Sequence, residues 1–218
     1  MELLEIDTKR LLSMQLLRHA VNMTNTTARE ELPARERLLA AAVEAFAEKG
    51  FAATTTRDIA SRAGMSPAAV YVHHDSKESL LYRVSLDGHE HTLRIITEAA
   101  ATTTSPADRV WRMVHSFSLW HADNSRVGRI VQYEYHALSG EHRAEVATYR
   151  RRIEQAMQDA LTDGVDQGIL AVDDIPGTAF ALLSLGIDVV RWYEPGGSWT
   201  GEGLASLHAD LAVKMTRA

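Results

Sequence analysis

The chain has 218 residues, 45% hydrophobic and 24% charged, with a net charge of −6, the composition of an ordinary soluble globular protein of one or two domains. It has no cysteine, which excludes disulfides and thiolate metal sites, and no run of about eighteen apolar residues, so no membrane span is expected. The opening residues Met1-Glu2-Leu3-Leu4-Glu5 lack the basic and apolar regions of a secretory signal, and a cytoplasmic protein is expected.

Residues 1–32 are expected to be an N-terminal extension, mobile and leucine-rich, with Arg10, Arg18 and Arg29 available for added DNA contacts. A first helix is predicted over about 34–49, with Leu38, Leu39, Ala42, Val43 and Phe46 on one face and Gly50 as its stop. A second starts at a threonine cap, Thr55 or Thr56, and turns Ile59, Ala60 and Ala63 inward. Gly64 supplies the positive φ that ends it, and Met65 plugs the elbow. Ser66 then caps a third helix, with Pro67 at its first position, where the missing N–H costs nothing. Ala68 and Ala69 are small enough to lie close to a base edge, and Tyr71 can reach a phosphate. A long fourth helix follows over about 76–101, with Asp75 and Glu78 as a capping box and Gly88 as a point of bending.

The stretch from Thr55 to His74 resembles the helix-turn-helix of TetR-family transcriptional regulators. The resemblance covers residues 33–88, from Arg35-Glu36-Arg37-Leu38-Leu39 through Phe46 and Gly50-Phe51 to Ser76-Lys77-Glu78-Ser79-Leu80-Leu81-Tyr82. It implies a DNA-binding domain over 33–92, with the motif at 55–74. Its expected DNA contacts are Thr55, Thr56, Arg57, Ser66, Pro67, Ala68, Ala69, Tyr71, His73 and Lys77. Lys77 is expected at a phosphate beside a helix N-terminus. Arg57 is expected either to reach DNA or to pair with Asp58 or Glu48. The sequence departs from the family at His74, where a phenylalanine usually packs the third helix on the first; the histidine is expected to pack less well or to turn outward.

Beyond residue 101 only helical patterns occur: about 106–122, 125–137, 141–167, 175–193 and 200–216. The fold class is therefore all-α, a three-helix reader domain followed by a helical ligand-binding and dimerisation domain over 93–218. The eighth helix is apolar on nearly every side, through Phe180, Leu182, Leu183, Leu185, Ile187, Val189 and Val190. It is expected to pair with the ninth against a second copy, with Ala181 and Gly186 permitting close approach. Asp188-Val189-Val190-Arg191-Trp192-Tyr193-Glu194-Pro195-Gly196-Gly197, with Leu204 and Leu211, resembles TetR-type regulators of fatty-acid and steroid breakdown. That likeness implies an acyl-CoA ester as effector and a place in lipid metabolism.

The middle helices are rich in aromatic and histidine side chains, and Trp111, His115, Phe117, Trp120, His121, Tyr133 and His136 are the candidate lining of an effector site. A metal on His115, His121 and His136 lacks carboxylates at matching spacing, and neither a metal nor a cofactor is expected. Nucleophile-elbow, phosphate-loop, dinucleotide and zinc-protease motifs are all missing, so no enzyme is expected. The reader stretch 33–88 is electrically neutral, with seven Lys/Arg and seven Asp/Glu, and the excess acid lies C-terminal to it. One copy should bind DNA weakly, so a homodimer on double-stranded operator DNA is expected, released by a small hydrophobic effector and making no membrane contact. The alternatives are a regulator of efflux or detoxification responding to an aromatic or drug-like ligand, and a small helical enzyme.

Overall fold

The computed structural model describes residues 32–217. The expected extension lies outside these residues, apart from Leu32. Among the described residues there are nine α-helices: α1 Ala34–Ala53, α2 Thr56–Arg62, α3 Pro67–His73, α4 Lys77–Ala101, α5 Pro106–Asp123, α6 Ser125–Tyr133, α7 Gly140–Asp166, α8 Ile175–Trp192 and α9 Gly201–Thr216. A short 3₁₀ turn, Tyr135–Ala137, follows α6. No strand occurs among them, only an isolated antiparallel bridge between Leu170 and Arg217. The all-α expectation holds.

The chain forms two compact units. One comprises residues up to His91 together with Arg129–Val146; the other comprises Thr92–Gly128 and Ala147–Ala218. Helices α4, α6 and α7 each contribute residues to both.

In the first unit the core is built from Leu38, Leu39, Val43, Phe46, Ile59, Val70, Leu80, Leu81 and Val84, all buried. Gly50 has φ 76° and ψ 163°, so α1 is broken there and resumes for one short turn. Only glycine adopts that conformation without strain, and the stop read from the sequence is thus a kink inside α1. Helix α4 runs through Gly88 without a break. Its start differs from expectation. Ser76 and Ser79 cap each other, with Ser79 N donating to Ser76 Oγ at 3.0 Å and Ser76 N to Ser79 Oγ at 3.2 Å. Glu78 instead accepts from Ser139 N at 2.8 Å and lies 2.9 Å from His142 Nδ1. A carboxylate facing the backbone at residue 139 is not free to reach back to its own cap.

In the second unit, Leu93, Ile96, Met113, Val114, Phe117, Met157, Leu161 and Leu182 belong to one buried cluster. Helix α5 runs antiparallel to α9: Trp111 Nε1 donates to Asp210 Oδ1 at 2.8 Å near one end, and Ala122 faces Gly201 near the other. Helix α8 has the length and mean apolarity of a membrane span, but it carries Asp188 and Arg191, and Ala179, Leu182, Leu183, Gly186, Val189 and Val190 are buried in this unit. Gly186 was expected to admit a second copy. It faces α5 instead: a Cβ there would overlap the Phe117 ring.

Candidate DNA interface and effector region

Two short helices carry the reader face, and each is fixed at its ends. Helices of seven residues are too short to persist alone in water, so caps and packing must hold them. At α2, Thr55 accepts from Asp58 N at 3.1 Å while Asp58 Oδ2 accepts from Thr55 N at 2.9 Å, a complete capping box. These Thr55 hydrogen bonds, with Lys49 3.3 Å away, lower the Asp58 pKa to about 2. The carboxylate therefore stays charged beside the helix N-terminus, where the dipole favours it. At the other end Gly64 has φ 67°, Gly64 N donates to Ser61 O at 3.1 Å and Met65 N to Ala60 O at 2.9 Å. This is a Schellman closure, the geometry that the glycine implied. Ser66 Oγ then accepts from Ala69 N at 3.3 Å, with Pro67 in the first position of α3.

With those ends closed, one side of α3 faces inward through Val70, which is fully buried, and the other faces solvent. Ser66, Pro67, Ala68, Tyr71 and His73 are exposed, and Ala69 is half-buried. The Tyr71 hydroxyl lies 3.3 Å from Thr56 Oγ1, which joins the exposed faces of α2 and α3. The alternatives for Arg57 separate cleanly. Asp58 pairs with Lys49, and Glu48 pairs with Arg62. Arg57 is left exposed, without an ion pair among the described residues.

Lys77 has structural partners that the sequence did not suggest. Its Nζ donates to Phe51 O at 2.6 Å and Thr54 O at 2.7 Å, and sits 4.1 Å from the centre of the Phe51 ring. A positive charge at the C-terminal end of α1 meets the negative end of that helix and satisfies carbonyls that have no helical partner. His74, the departure from the family pattern, turns inward. It is 7% exposed, and its Nε2 finds no hydrogen-bond partner among the described residues. Burial, followed by the nearby Arg35, lowers its pKa to about 4, so it is neutral at pH 7.

Two further clamps were invisible to sequence reading because their partners are far apart in the chain. Phe51 N, just past the kink, donates to Glu134 Oε1 at 2.9 Å. Tyr82 stacks on His142 with centroids 3.7 Å apart, and its hydroxyl donates to Glu145 Oε2 at 2.6 Å. Together with Glu78 these groups bind residues 134–145 to the reader helices within one unit.

The structure does not gather the seven candidate effector residues. Trp111 and His115 stack at 4.7 Å and are drawn toward α9, Trp111 by Asp210 and His115 by Glu202, whose Oε1 lies 3.0 Å from Nε2. Phe117, Trp120 and His121 do form a group, with centroids 4.4 Å apart for Phe117–His121 and 4.8 Å for Trp120–His121. Tyr133 and His136 are exposed and belong to the other unit. His121 is buried, its Nδ1 donates to Phe117 O at 2.8 Å, and burial lowers its pKa to about 4. It is therefore a neutral ring with Nε2 as an acceptor. His208, 3.1 Å from Ser118 Oγ, is shifted the same way by burial. Among the described residues, no three His, Asp or Glu side chains converge as a metal site would require.

Residues 38–84 match the profile described as bacterial regulatory proteins, tetR family, and residues 103–216 match the tetracyclin repressor-like C-terminal domain. The HTH-type transcriptional repressor KstR2 of Mycobacterium tuberculosis is 32% identical over 185 residues, covering 82% of this chain and 90% of the relative. A crystal structure of a tetR-family regulatory protein from Rhodococcus RHA1 superposes with a TM-score of 0.81 at 41% identity, covering 86% of this chain and 98% of that one. The structure of AibR in complex with isovaleryl coenzyme A and operator DNA has the same fold, with a TM-score of 0.74 at 23% identity, covering 84% of this chain and 97% of that one. The profile over 103–216 alone spans more than half of the chain, and the reader profile covers both short helices and their caps. The chain belongs to the TetR family, as a helix-turn-helix DNA-binding regulator of transcription.

Proposed function

We propose that this protein is a homodimeric repressor acting in the cytoplasm, which leaves its operator when it binds an acyl-CoA thioester. The observation that carries the DNA half is the exposed face of α2 and α3. Thr55, Thr56, Arg57, Ser66, Pro67, Ala68, Tyr71 and His73 lie on or beside it, and its polar groups are not consumed by ion pairs. Helix α3 enters the major groove, Arg57 and Tyr71 meet phosphates, and Pro67, Ala68 and Ala69 lie against base edges. Lys77 adds its charge near the same backbone from its seat at the end of α1. The proposed boundaries are a reader domain over 33–92 and an effector and dimerisation domain over 93–218, of which residues Arg129–Val146 pack within the reader unit.

Dimerisation is supported by a stripe on α9. Leu207, Leu211 and Met215 recur at intervals of four residues and are exposed, and Phe180 and Trp192 of α8 are exposed as well. A repeating apolar stripe of this kind is what a second copy covers. Two heads about one helical turn or more apart then read a near-palindrome.

The effector site is placed among the α4–α7 residues of the second unit, at the Phe117, Trp120 and His121 group. The repressor reading is supported by the KstR2 relatives, which are repressors, and the CoA choice by AibR, which carries isovaleryl coenzyme A. Binding must favour one arrangement of the two heads, because a ligand with equal affinity for both shifts nothing. Helix α4 is the lever, since its residues belong to both units.

The test is in vitro selection of DNA followed by footprinting. A protected near-palindrome is expected. The Arg57→Gln dimer should then bind with a salt slope reduced by roughly 1.8, about 0.9 for each lost phosphate contact. Failure to enrich any sequence would sink the DNA reading. A thermal-shift screen in which only CoA-free aromatic compounds stabilise the protein and release DNA would replace the acyl-CoA reading with that of a drug-responsive regulator.

A further inference from the structure

Val72 is the most exposed large hydrophobic residue among those described, at 77%, and it lies one residue before the C-terminal end of α3. It played no part in the sequence reading. Helical spacing puts Ala68 and Val72 one turn apart on the side of α3 opposite the buried Val70. The two form a short apolar strip along the outer crest of the helix. Tyr71, the neighbouring large side chain, has its hydroxyl turned to Thr56 on α2, so it adds no hydrogen-bonding group to the strip. A valine in a helix has essentially one χ1 rotamer, so both methyl groups are held in place before DNA arrives.

Each base pair shows the major groove a different pattern of donors, acceptors and carbon. The only methyl group on any base edge there is the C5 methyl of thymine. A crest with no donor or acceptor gains nothing from a guanine or cytosine edge and would strip water from polar atoms it cannot satisfy. We infer that the Ala68–Val72 strip reads thymine methyl groups, with Val72 as the specificity-determining contact in each operator half-site. The inference rests on α3 entering the major groove, and it adds the chemistry of the base that α3 meets.

Deoxyuridine differs from thymidine by that methyl alone. Starting from a selected operator, each thymine is replaced in turn by uracil, in one half-site and then symmetrically in both. Affinities are measured for the wild-type dimer and for Val72→Ala, whose mutated side chain is largely exposed in the free protein. At one or two thymines per half-site the wild type should lose about fourfold, the worth of one buried carbon group, and about fifteenfold when both half-sites are changed. Val72→Ala should bind the thymine operator correspondingly weaker and lose nothing further on uracil substitution at those positions, the non-additivity that marks a direct contact. Sequence-specific binding that is indifferent to uracil everywhere would overturn the inference while leaving the DNA reading intact. So would a Val72→Ala dimer that keeps the full uracil effect. Failure to select any operator would overturn both.

Discussion

The two units are held together in different ways. The reader unit fixes very short helices by their ends: a capping box at α2, a Schellman closure at Gly64, a serine cap at α3, and the Lys77 ammonium over the last carbonyls of α1. The second unit fixes long helices along their lengths, through a buried cluster that runs from Leu93 to Ala212. The contrast has a functional reason. A seven-residue helix that packed through most of its surface would have no face left to read DNA. Tying it at the termini leaves Ala68, Tyr71, Val72 and His73 outward. On the proposed reading, a domain that answers to a hydrophobic molecule needs the reverse, an apolar interior with few polar groups. There the buried histidines are kept neutral by burial, as the lowered pKa values of His121 and His208 indicate.

The contrast is broken most severely by dissolving the proposed dimer, which would make two weak heads one strong reader. Leu207→Glu with Leu211→Glu places charge on the α9 stripe. Light scattering should report a monomer with unchanged helical content, and operator affinity should fall by about 10²–10⁴-fold, the range expected when the second head no longer binds intramolecularly. A monomer that bound as tightly as the wild type would contradict the two-headed account.

The next largest effects set an end clamp against a packed interior. Lys77→Met removes the ammonium that satisfies the Phe51 and Thr54 carbonyls, and should cost about 1–3 kcal/mol in urea unfolding. The loss should persist without DNA, which separates the clamp from any phosphate contact. Gly186→Ala drives a methyl group into the Phe117 ring and should cost a similar 1–3 kcal/mol, by overpacking rather than by a lost hydrogen bond. If Lys77→Met left stability untouched and only DNA affinity fell, the clamp would be incidental.

The smallest expected effect is a gain. His74→Phe replaces a buried ring whose Nε2 has no partner among the described residues by one that needs none, and should stabilise the protein by about 1 kcal/mol. The pH dependence gives a sharper reading. The folded-state pKa of about 4 lies below the ordinary 6.5, so the fold favours neutral His74. Its contribution is fully present above pH 6.5 and is lost as the pH falls from there toward 4. The phenylalanine variant should lose less stability across that window than the wild type, with His121 and His208 supplying the remaining slope. Equal slopes in the two proteins would mean that His74 is not buried in solution.

What the sequence made legible was local. Thr55, Gly64, Ser66 and Pro67 each specify the conformation of a few adjacent residues, and the helices they bound formed where expected. Gly50 was recognised as a stop, and the positive φ there shows why. What stayed hidden was every relation between distant residues. Glu78 reads as a cap because Asp75 is three residues away, yet it is taken by Ser139 and His142, 61 and 64 residues on. Gly186 reads as room for a partner helix, yet it is room for Phe117. The aromatic residues of the middle helices looked like one constellation in the sequence, and packing dispersed them: Trp111 and His115 toward α9, Tyr133 and His136 into the reader unit. Val72 has no polar handle that a sequence shows, and its exposure marks it only in the folded chain.

On the proposed reading, acyl-CoA binding in the C-terminal domain is energetically coupled to operator binding by the DNA-reading head. The direct measurement is operator affinity by fluorescence anisotropy at fixed salt, without effector and with saturating acyl-CoAs of short, medium and long chain, each beside free CoA and the free acid. The account predicts that at least one acyl-CoA weakens operator binding by roughly 5–150-fold, the usual size of a coupling between sites, while CoA and the acid alone do not. An affinity unchanged across the whole series would contradict it.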